Sequence, residues 1–267
     1  MKPADLLQPV LDIALEAGRR IMAVYGSADF GVTHKDDASP LTQADLAAHL
    51  HIVAALATLP AKYPVLSEEA ADVPFATRHA WTRYWLVDPL DGTKEFIKRN
   101  GDFTVNIALI DGGVPLLGVV HAPALDLTYA AAEGAGATRI RGGVREPIRT
   151  RPSPEVPAFV VSRSHKDAAL EKFLAAAPPH EAVSRGSSLK FCQVAEGSAD
   201  LYPRTGPTSE WDTAAGQCVA EQAGASVIRL PQMTRLAYNE KDSLLNPLFA
   251  VIGDSSRDWK TLLATVA

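Results

Sequence analysis

The sequence predicts an α/β protein built from two joined halves, and three observations support this prediction. The second half alternates short apolar strands with helical segments, a rhythm typical of α/β architecture. The first half opens with two helical segments and continues into apolar runs that are separated by turn signals. The length of 267 residues suits one large domain or two halves that share a site.

Composition narrows the class of protein. A hydrophobic fraction of 47% and a mean hydropathy of +0.00 describe a globular chain with a sizeable core. The formal charge of −5 disfavours nucleic-acid polymers as partners. Cys192 and Cys218 are too few for a disulfide framework or zinc site. No signal peptide or apolar run of membrane-spanning length is visible, so we expect a cytoplasmic protein.

The N-terminal elements follow from periodicity and capping. Residues 5–25 have apolar residues on one helical face, with Asp5 as the expected N-cap and Pro9 in the first turn. Thr42 and Asp45 have the spacing of a capping box for a second helix that runs to about residue 59. A short strand over 63–66 precedes Glu68 and its acidic neighbour; from spacing alone, such acids are typical of a solvated loop.

The central stretch is Trp85-Leu-Val-Asp-Pro-Leu-Asp-Gly-Thr-Lys-Glu-Phe96. It predicts a strand over 84–87, a break at Asp88 and its following proline, and a short helix from 94 to about 100. Asp88 and Asp91 would lie at a strand end, facing a helix N-terminus that favours an anion. Carboxylates with a substrate phosphate are typical Mg²⁺ ligands. A plain turn is the alternative interpretation, because Asp, Pro and Gly are common in loops.

The remaining elements follow in order. Strands are predicted over 103–110, 114–121 and 127–132, with a hairpin at 111–113. The segment 139–157 is rich in Arg, Pro and Gly, which predicts a first domain over 1–150 and a second over 151–267. Ser209 and Asp212 form a second possible capping box, at the start of a helix over 208–222. The other segments predicted in the second half are 158–162, 167–175, 181–184, 189–195, 201–202, 226–228, 248–251 and 255–265.

Four acids share one context in the predicted fold. Each lies where a strand gives way to a loop or a helix, the edge at which α/β proteins bind ligands. They are Glu68, Asp88, Asp91 and Asp212. Carboxylates gathered there without cations would repel one another. Divalent metal ions would remove the repulsion, so the pattern favours a metal site.

These acids lie in motifs that resemble the inositol monophosphatase superfamily of Mg²⁺-dependent, lithium-sensitive phosphatases. The motifs are Glu68-Glu69, Asp88-Pro-Leu-Asp-Gly-Thr93 and Trp211-Asp-Thr-Ala-Ala-Gly216. Within the superfamily the chain most resembles the bacterial 3′(2′),5′-bisphosphate nucleotidases, and the likeness covers nearly its whole length. The stretches that carry this narrower likeness are Lys94-Glu-Phe-Ile-Lys-Arg-Asn-Gly101, Phe103-Thr-Val-Asn-Ile-Ala-Leu109, Ser162-Arg-Ser-His165, Gly186-Ser-Ser-Leu-Lys-Phe191, Ala199-Asp-Leu-Tyr-Pro-Arg204 and Leu244-Leu-Asn-Pro247.

The resemblance implies a layered α/β/α/β/α fold and a role for each site residue. One Mg²⁺ would be held by Glu68, Asp88 and the Leu90 carbonyl, and a second by Asp88, Asp91 and Asp212. Glu68 would help with a weaker third ion, so two or three ions are expected.

The resemblance also implies how the substrate is handled. Asp45 and Thr93 would orient and deprotonate the attacking water, while the Gly92 and Thr93 N–H groups meet the phosphate. Lys190 and Arg204 are expected to bind the second phosphate, with Ser187 as a hydrogen-bond donor and His165 near the sugar or base. A solvated helix face remains an alternative for Lys190, and a cap or surface role for His165.

The predicted activity is removal of the 3′-phosphate from adenosine 3′,5′-bisphosphate, and of the same phosphate from its 5′-phosphosulfate analogue, which implies a role in sulfate assimilation. The alternatives are an inositol monophosphatase or a fructose-1,6-bisphosphatase, and, from another class, a non-catalytic sensor of the bisphosphate nucleotide.

The oligomeric state is left open between a monomer and a homodimer. The resemblance also leaves open peripheral association with the cytoplasmic face of the inner membrane.

Overall fold

The computed structural model describes residues 1–27, 33–34, 40–162 and 168–265. The helices are α1 (Pro3–Tyr25), α2 (Gln43–Leu56), α3 (Phe75–His79), α4 (Thr93–Ile97), α5 (Ala168–Ala176), α6 (Leu189–Ala195), α7 (Ala214–Gln222) and α8 (Lys260–Leu263). Short 3₁₀ turns cover Glu68–Ala70, Pro123–Leu125 and Glu210–Asp212. The first strands are β1 (Thr33–His34), β2 (Pro40–Leu41), β3 (Val65–Ser67), β4 (Arg83–Asp91), β5 (Thr104–Asp111), β6 (Val114–Ala122), β7 (Leu127–Ala132), β8 (Gly136–Arg141) and β9 (Val144–Pro147). The later strands are β10 (Ala158–Ser162), β11 (Glu181–Arg185), β12 (Leu201–Arg204), β13 (Ser226–Arg229), β14 (Thr234–Arg235) and β15 (Phe249–Ile252).

Two large sheets organise these elements. The first runs in sequence order from β3 to β9, with β3 parallel to β4 and the later neighbours antiparallel. The second has the order β11-β10-β12-β15-β13-β14, and β10 is parallel to both of its neighbours. Strands β1 and β2 pair separately.

Three apolar clusters show how the layers stack. Helices α1 and α2 cover one face of the first sheet, as Ile21 and Ile52 pack with Trp85. Helices α6 and α7 lie between the sheets, where Cys218 joins residues of both. Helices α5 and α8 cover the far face of the second sheet with Phe173 and Leu263. The order of layers is therefore α/β/α/β/α, as the sequence analysis expected.

The first half differs from the predicted elements in detail. Helix α1 begins earlier, at Pro3, so Asp5 is the third helical residue and not the N-cap, and Pro9 lies inside the helix. Helix α2 begins after Thr42 as predicted but ends at Leu56. Strand β4 does not stop at residue 87 and continues to Asp91, because an irregularity in its pairing with β5 absorbs the proline. Helix α4 ends at Ile97, before the predicted end.

The second half keeps the predicted alternation, with three differences. The predicted helix over 208–222 is a 3₁₀ turn followed by α7, and Thr213 at φ −118° separates them. The C-terminal helix shrinks to Lys260–Leu263. Strand β14, which has only two residues, was not predicted. In the first half, strands β8 and β9 were not predicted either, because β9 is exposed throughout and lacks an apolar face. No helix in the described ranges combines the length and apolar character needed to cross a membrane.

Candidate active site

The irregular end of β4 places the first two acids. Asp88 pairs with Asn106 of β5 and Asp91 pairs with Thr104, with a shift of register between them. A bulge re-aims side chains at a sheet edge, and Pro89 within it gives up a backbone donor. The Leu90 N–H donates to Asp88 Oδ1 over 3.0 Å, which fixes that carboxylate. Gly92 follows at φ +92°, a conformation that favours glycine, and leads into α4.

The other two acids reach the same place from different elements. Glu68 opens the 3₁₀ turn after β3, and its side chain hydrogen bonds with Asp88. Asp212 ends the 3₁₀ turn before α7 and accepts the Ser209 N–H over 2.9 Å, so the predicted capping box is present. The capping bond orients Asp212 without excluding a second role for its carboxylate.

Electrostatics shows that the four carboxylates are neighbours. Burial raises the pKa of Asp88 well above its usual value, and the charges of Glu68, Asp91 and Asp212 raise it further. Burial, with Asp91 and Glu68, likewise raises the pKa of Asp212 to about 8. The pKa of Asp91 is raised by burial, while Lys190 and Ser188 act in the opposite direction. Asp88, Asp91 and Asp212 are therefore costly to ionise unless a cation joins them.

The donor set fits a hard divalent cation. It consists of carboxylates, which such ions prefer, and its raised pKa values arise from burial and mutual repulsion that a cation would offset. Within the described ranges, however, no three or more acidic, histidine or cysteine side chains form a ready-made metal cage. The fit therefore rests on the chemistry and charge of the donors and not on a preformed coordination geometry.

Asp45 and Thr93 lie beside the acids. Asp45 is 2% exposed, and its Oδ2 accepts both the N–H and the hydroxyl of Thr42, at 2.8 and 2.6 Å. Its Oδ1 lies 3.4 Å from the Thr93 hydroxyl, which is also 3.4 Å from the Leu90 carbonyl oxygen. The capping and catalytic interpretations of Asp45 are compatible, because each uses a different oxygen.

The predicted nucleotide contacts from the second half also lie at this edge. Lys190 and Arg204 are 7% and 9% exposed, so neither belongs to a solvated face. Lys190 Nζ donates to the Ser187 carbonyl over 2.5 Å and lies 5.6 Å from the centre of the Tyr202 ring. Burial lowers the pKa of Lys190 to about 8, with Asp91 opposing and Arg204 adding to this effect. Arg204 donates to the carbonyls of Gly206 and Pro207.

Two predicted contacts need comment. The Ser187 hydroxyl lies 2.8 Å from the Asp91 carbonyl and 2.7 Å from the Asp102 carbonyl, so its proton is engaged with the backbone. It can therefore meet a ligand only as an acceptor while these bonds hold. His165 lies outside the described residues.

Three residues that sequence analysis gave no role also belong to the site. Ser188 and Asn106 hydrogen bond with Asp91, and Asp102 accepts the N–H of Gly186 and a bond from Arg185. The motif stretches 103–109 and 186–191 contain two of the three. Only the fold, which brings residues about a hundred positions apart into contact, reveals what they do.

Comparison with known proteins identifies the family. The chain matches the Inositol monophosphatase family over residues 3–265. It is 54% identical over 248 residues to 3′(2′),5′-bisphosphate nucleotidase CysQ of Escherichia coli (strain K12), covering 92% of this chain and 99% of that protein. The protein of the same name from Haemophilus influenzae is 35% identical over 260 residues, 96% of either chain.

Solved structures give the same result for the fold. CysQ from Bacteroides thetaiotaomicron, described as a bacterial member of the inositol monophosphatase family, is 42% identical with a TM-score of 0.84, covering 95% of this chain and 98% of that one. An inositol monophosphatase from Anabaena, 24% identical with a TM-score of 0.77 over 98% and 95% of the two chains, shares the fold. The chain belongs to the inositol monophosphatase family.

Proposed function

We propose that this chain is a Mg²⁺-dependent phosphatase that removes the 3′-phosphate of adenosine 3′,5′-bisphosphate and of its 5′-phosphosulfate analogue, giving AMP from the former. The observation that carries the proposal is the cluster of mutually repelling acids around the end of β4, of which Asp88 is buried and the others are partly buried. The 54% identity to a named 3′(2′),5′-bisphosphate nucleotidase supports this substrate.

The acids and one carbonyl would hold the metal. Glu68, Asp88 and the Leu90 carbonyl oxygen would bind one ion, Asp88, Asp91 and Asp212 a second, and Glu68 a weaker third. A cation bound there supplies Lewis acidity that favours attack by water on a phosphoryl group. Domains 1–150 and 151–267 would each contribute ligands, since Asp212 alone comes from the second.

Asp45 and Thr93 would handle the proton of the attacking water. Asp45 Oδ1 is within 3.4 Å of Thr93 Oγ1, and if the threonine hydroxyl donates to it, Thr93 Oγ1 is left to accept a proton of water. Asp45 Oδ1 then serves as the base and takes the proton through Thr93. Asp45 Oδ2 does not take part, because it already accepts two hydrogen bonds from Thr42. The backbone N–H groups of Gly92 and Thr93 would donate to the phosphate.

The second phosphate would lie between buried cations. Lys190 and Arg204 provide positive charge at the same edge as the acids, and the Coulombic effects of Asp91 and Asp212 on Lys190 indicate that it lies near them. Ser187 and His165 complete the proposed nucleotide contacts. An inositol phosphate has no second phosphate to neutralise these cations, so the bisphosphate should be preferred.

The test compares phosphate release from adenosine 3′,5′-bisphosphate, inositol 1-phosphate and fructose 1,6-bisphosphate with Mg²⁺. We expect the highest kcat/KM for the first, and a fall in its kcat of about 100-fold or more in Asp91→Asn. Asp12→Asn, on the exposed face of α1, is the matched control. A clear preference for inositol or fructose phosphate would reject the substrate assignment, and tight nucleotide binding without turnover at any Mg²⁺ concentration would favour a sensor.

A further inference from the structure

Ser188 has contacts that its position along the chain does not explain. It precedes α6 as the N-cap residue, yet its side chain makes no capping bond, although capping is the usual role of serine there. Its hydroxyl lies 3.0 Å from Asp91 Oδ2 and 2.6 Å from the Asp212 carbonyl oxygen. Ser188 is 1% exposed, so water does not compete for these bonds. One hydroxyl group thus touches two of the proposed metal-binding residues.

Asn106 orients that hydroxyl group. Its Nδ2 lies 2.9 Å from Ser188 Oγ and 3.5 Å from Asp91 Oδ2. Because the amide donates to Ser188 Oγ, the serine oxygen acts as an acceptor there, and its own proton must point to Asp91 or Asp212. The opposite amide orientation would place an oxygen against the Asp91 carboxylate, which cannot donate when ionised.

The remaining atoms agree with this assignment. Ser188 has one hydroxyl proton, which it donates to Asp91 Oδ2 or to the Asp212 carbonyl oxygen, and either bond ties Ser188 to a proposed metal ligand. Asn106 is 1% exposed, and its Oδ1 has no hydrogen-bond partner among the described residues. Among the described residues the Asn106 side chain is therefore held only through its Nδ2 group, which contacts Ser188 and Asp91.

We propose that Ser188 and Asn106 are positioning residues that fix Asp91 and Asp212 relative to each other, and so set the affinity of the site for divalent cations. The inference rests on the proposed function, because it needs both acids to be metal ligands. Ser188 and Asp212 come from the second half of the chain, whereas Asn106 and Asp91 come from the first. The pair therefore aligns ligands across the two halves without contacting the substrate.

The size of the effect follows from the type of contact. Residues that hydrogen bond metal ligands typically contribute 10- to 100-fold to metal affinity. Ser188→Ala removes the hydroxyl and keeps the backbone N–H, and alanine suits the local φ −67° and ψ −7°. We expect the dissociation constant for a divalent cation to rise about 10-fold in Ser188→Ala and similarly in Asn106→Ala. In the double variant the dissociation constant should rise by less than the product of the two single increases, because both residues act on one hydrogen-bond network.

The experiment measures Mn²⁺ binding to the substrate-free full chain by electron paramagnetic resonance, below the unfolding temperature of every variant. Ser198→Ala is the matched control, because its hydroxyl donates to the Gln193 carbonyl at an exposed position. Weaker Mn²⁺ binding in both single variants, with a non-multiplicative double variant, supports the inference. The substrate KM at saturating Mn²⁺ should stay within about twofold of wild type, since neither residue meets the nucleotide.

Two outcomes separate the inference from the proposed function. If Asp91→Asn loses Mn²⁺ but Ser188→Ala and Asn106→Ala bind it as wild type does, the positioning role is wrong and the metal site stands. If Asp91→Asn binds Mn²⁺ like wild type, the proposed metal site is wrong and the inference fails with it. If the increases in the Mn²⁺ dissociation constant of the two single variants multiply in the double variant, Ser188 and Asn106 act independently, and the inference of one shared network is wrong.

Discussion

His121 offers a direct test of how burial controls stability in this protein. It lies on β6, opposite Thr128 of β7, and its Nδ1 is 2.8 Å from the Thr128 hydroxyl. The ring packs so closely on α1 that a methyl group added to Gly18 would overlap it. Burial lowers the pKa of His121 from 6.5 to about 4, while the Leu127 backbone and Asp126 oppose that effect only in part.

The sign and size of the pH effect follow from this pKa. Below pH 6.5 the unfolded chain binds a proton at His121 that the folded protein rejects, so stability falls as the pH falls. The interval from 6.5 to about 4 corresponds to a loss of about 3 kcal/mol in the free energy of unfolding. By pH 5 about 2 kcal/mol should already be lost, relative to pH 8. Below pH 4 this group adds little further.

The assay compares wild type with His121→Asn by urea unfolding from pH 8 to pH 4.5. Asparagine keeps a polar atom near Thr128 but does not titrate, and the cavity it leaves lowers stability by an amount that does not depend on pH. The acids of the active site titrate in both proteins, so they cancel in the difference. The wild-type advantage should therefore shrink steadily below pH 6.5. A constant difference across this range would refute the argument.

Two other buried contacts can be tested in the same way. Arg78 is 1% exposed and donates to Asn239 Oδ1 over 2.5 Å. Arg78→Met should lower the free energy of unfolding by about 3 kcal/mol, because the buried acceptors lose their hydrogen-bond donor. An unchanged urea midpoint would contradict this. A Cβ on Gly118 would lie 2.4 Å from the Ala215 carbonyl oxygen, so Gly118→Ala should cost about 1–3 kcal/mol in urea unfolding. Gly26→Ala, whose Cβ would meet nothing closer than 3.5 Å, is its control and should change stability little.

The sequence predicted best those features that depend on local spacing. The Thr42 and Asp45 box, three residues apart, gave the start of α2 and the orientation of Asp45. The two glycines after Asp111 gave the hairpin, because both take positive φ. The same local signal was insufficient at Ser209 and Asp212, where the box closes a 3₁₀ turn and not the first turn of a long helix.

Long-range contacts could not be predicted from spacing. Arg78 and Asn239 are separated by 161 positions, and no pattern around either residue identifies the other. Ser188 directly precedes α6 in the sequence, and only the fold shows that its hydroxyl lies against Asp91 and the Asp212 carbonyl. The family resemblance predicted which acids belong to one site. The side chains that hold these acids in place were seen only in the structure.

The two halves meet at the site through contacts that only glycine permits. A Cβ on Gly92 would lie 2.3 Å from the Ser187 hydroxyl, and one on Gly186 would lie 2.8 Å from the Asp102 carbonyl oxygen. With glycine at both positions the two turns lie close enough for the Ser187 hydroxyl to contact the carbonyls of both Asp91 and Asp102. A bulkier residue at Gly92 or Gly186 would therefore move the turn that carries Ser188 away from Asp91. Because Asp212 hydrogen bonds through its carbonyl with Ser188, it would lose its alignment with the acids of β4 even though its own capping bond remained intact.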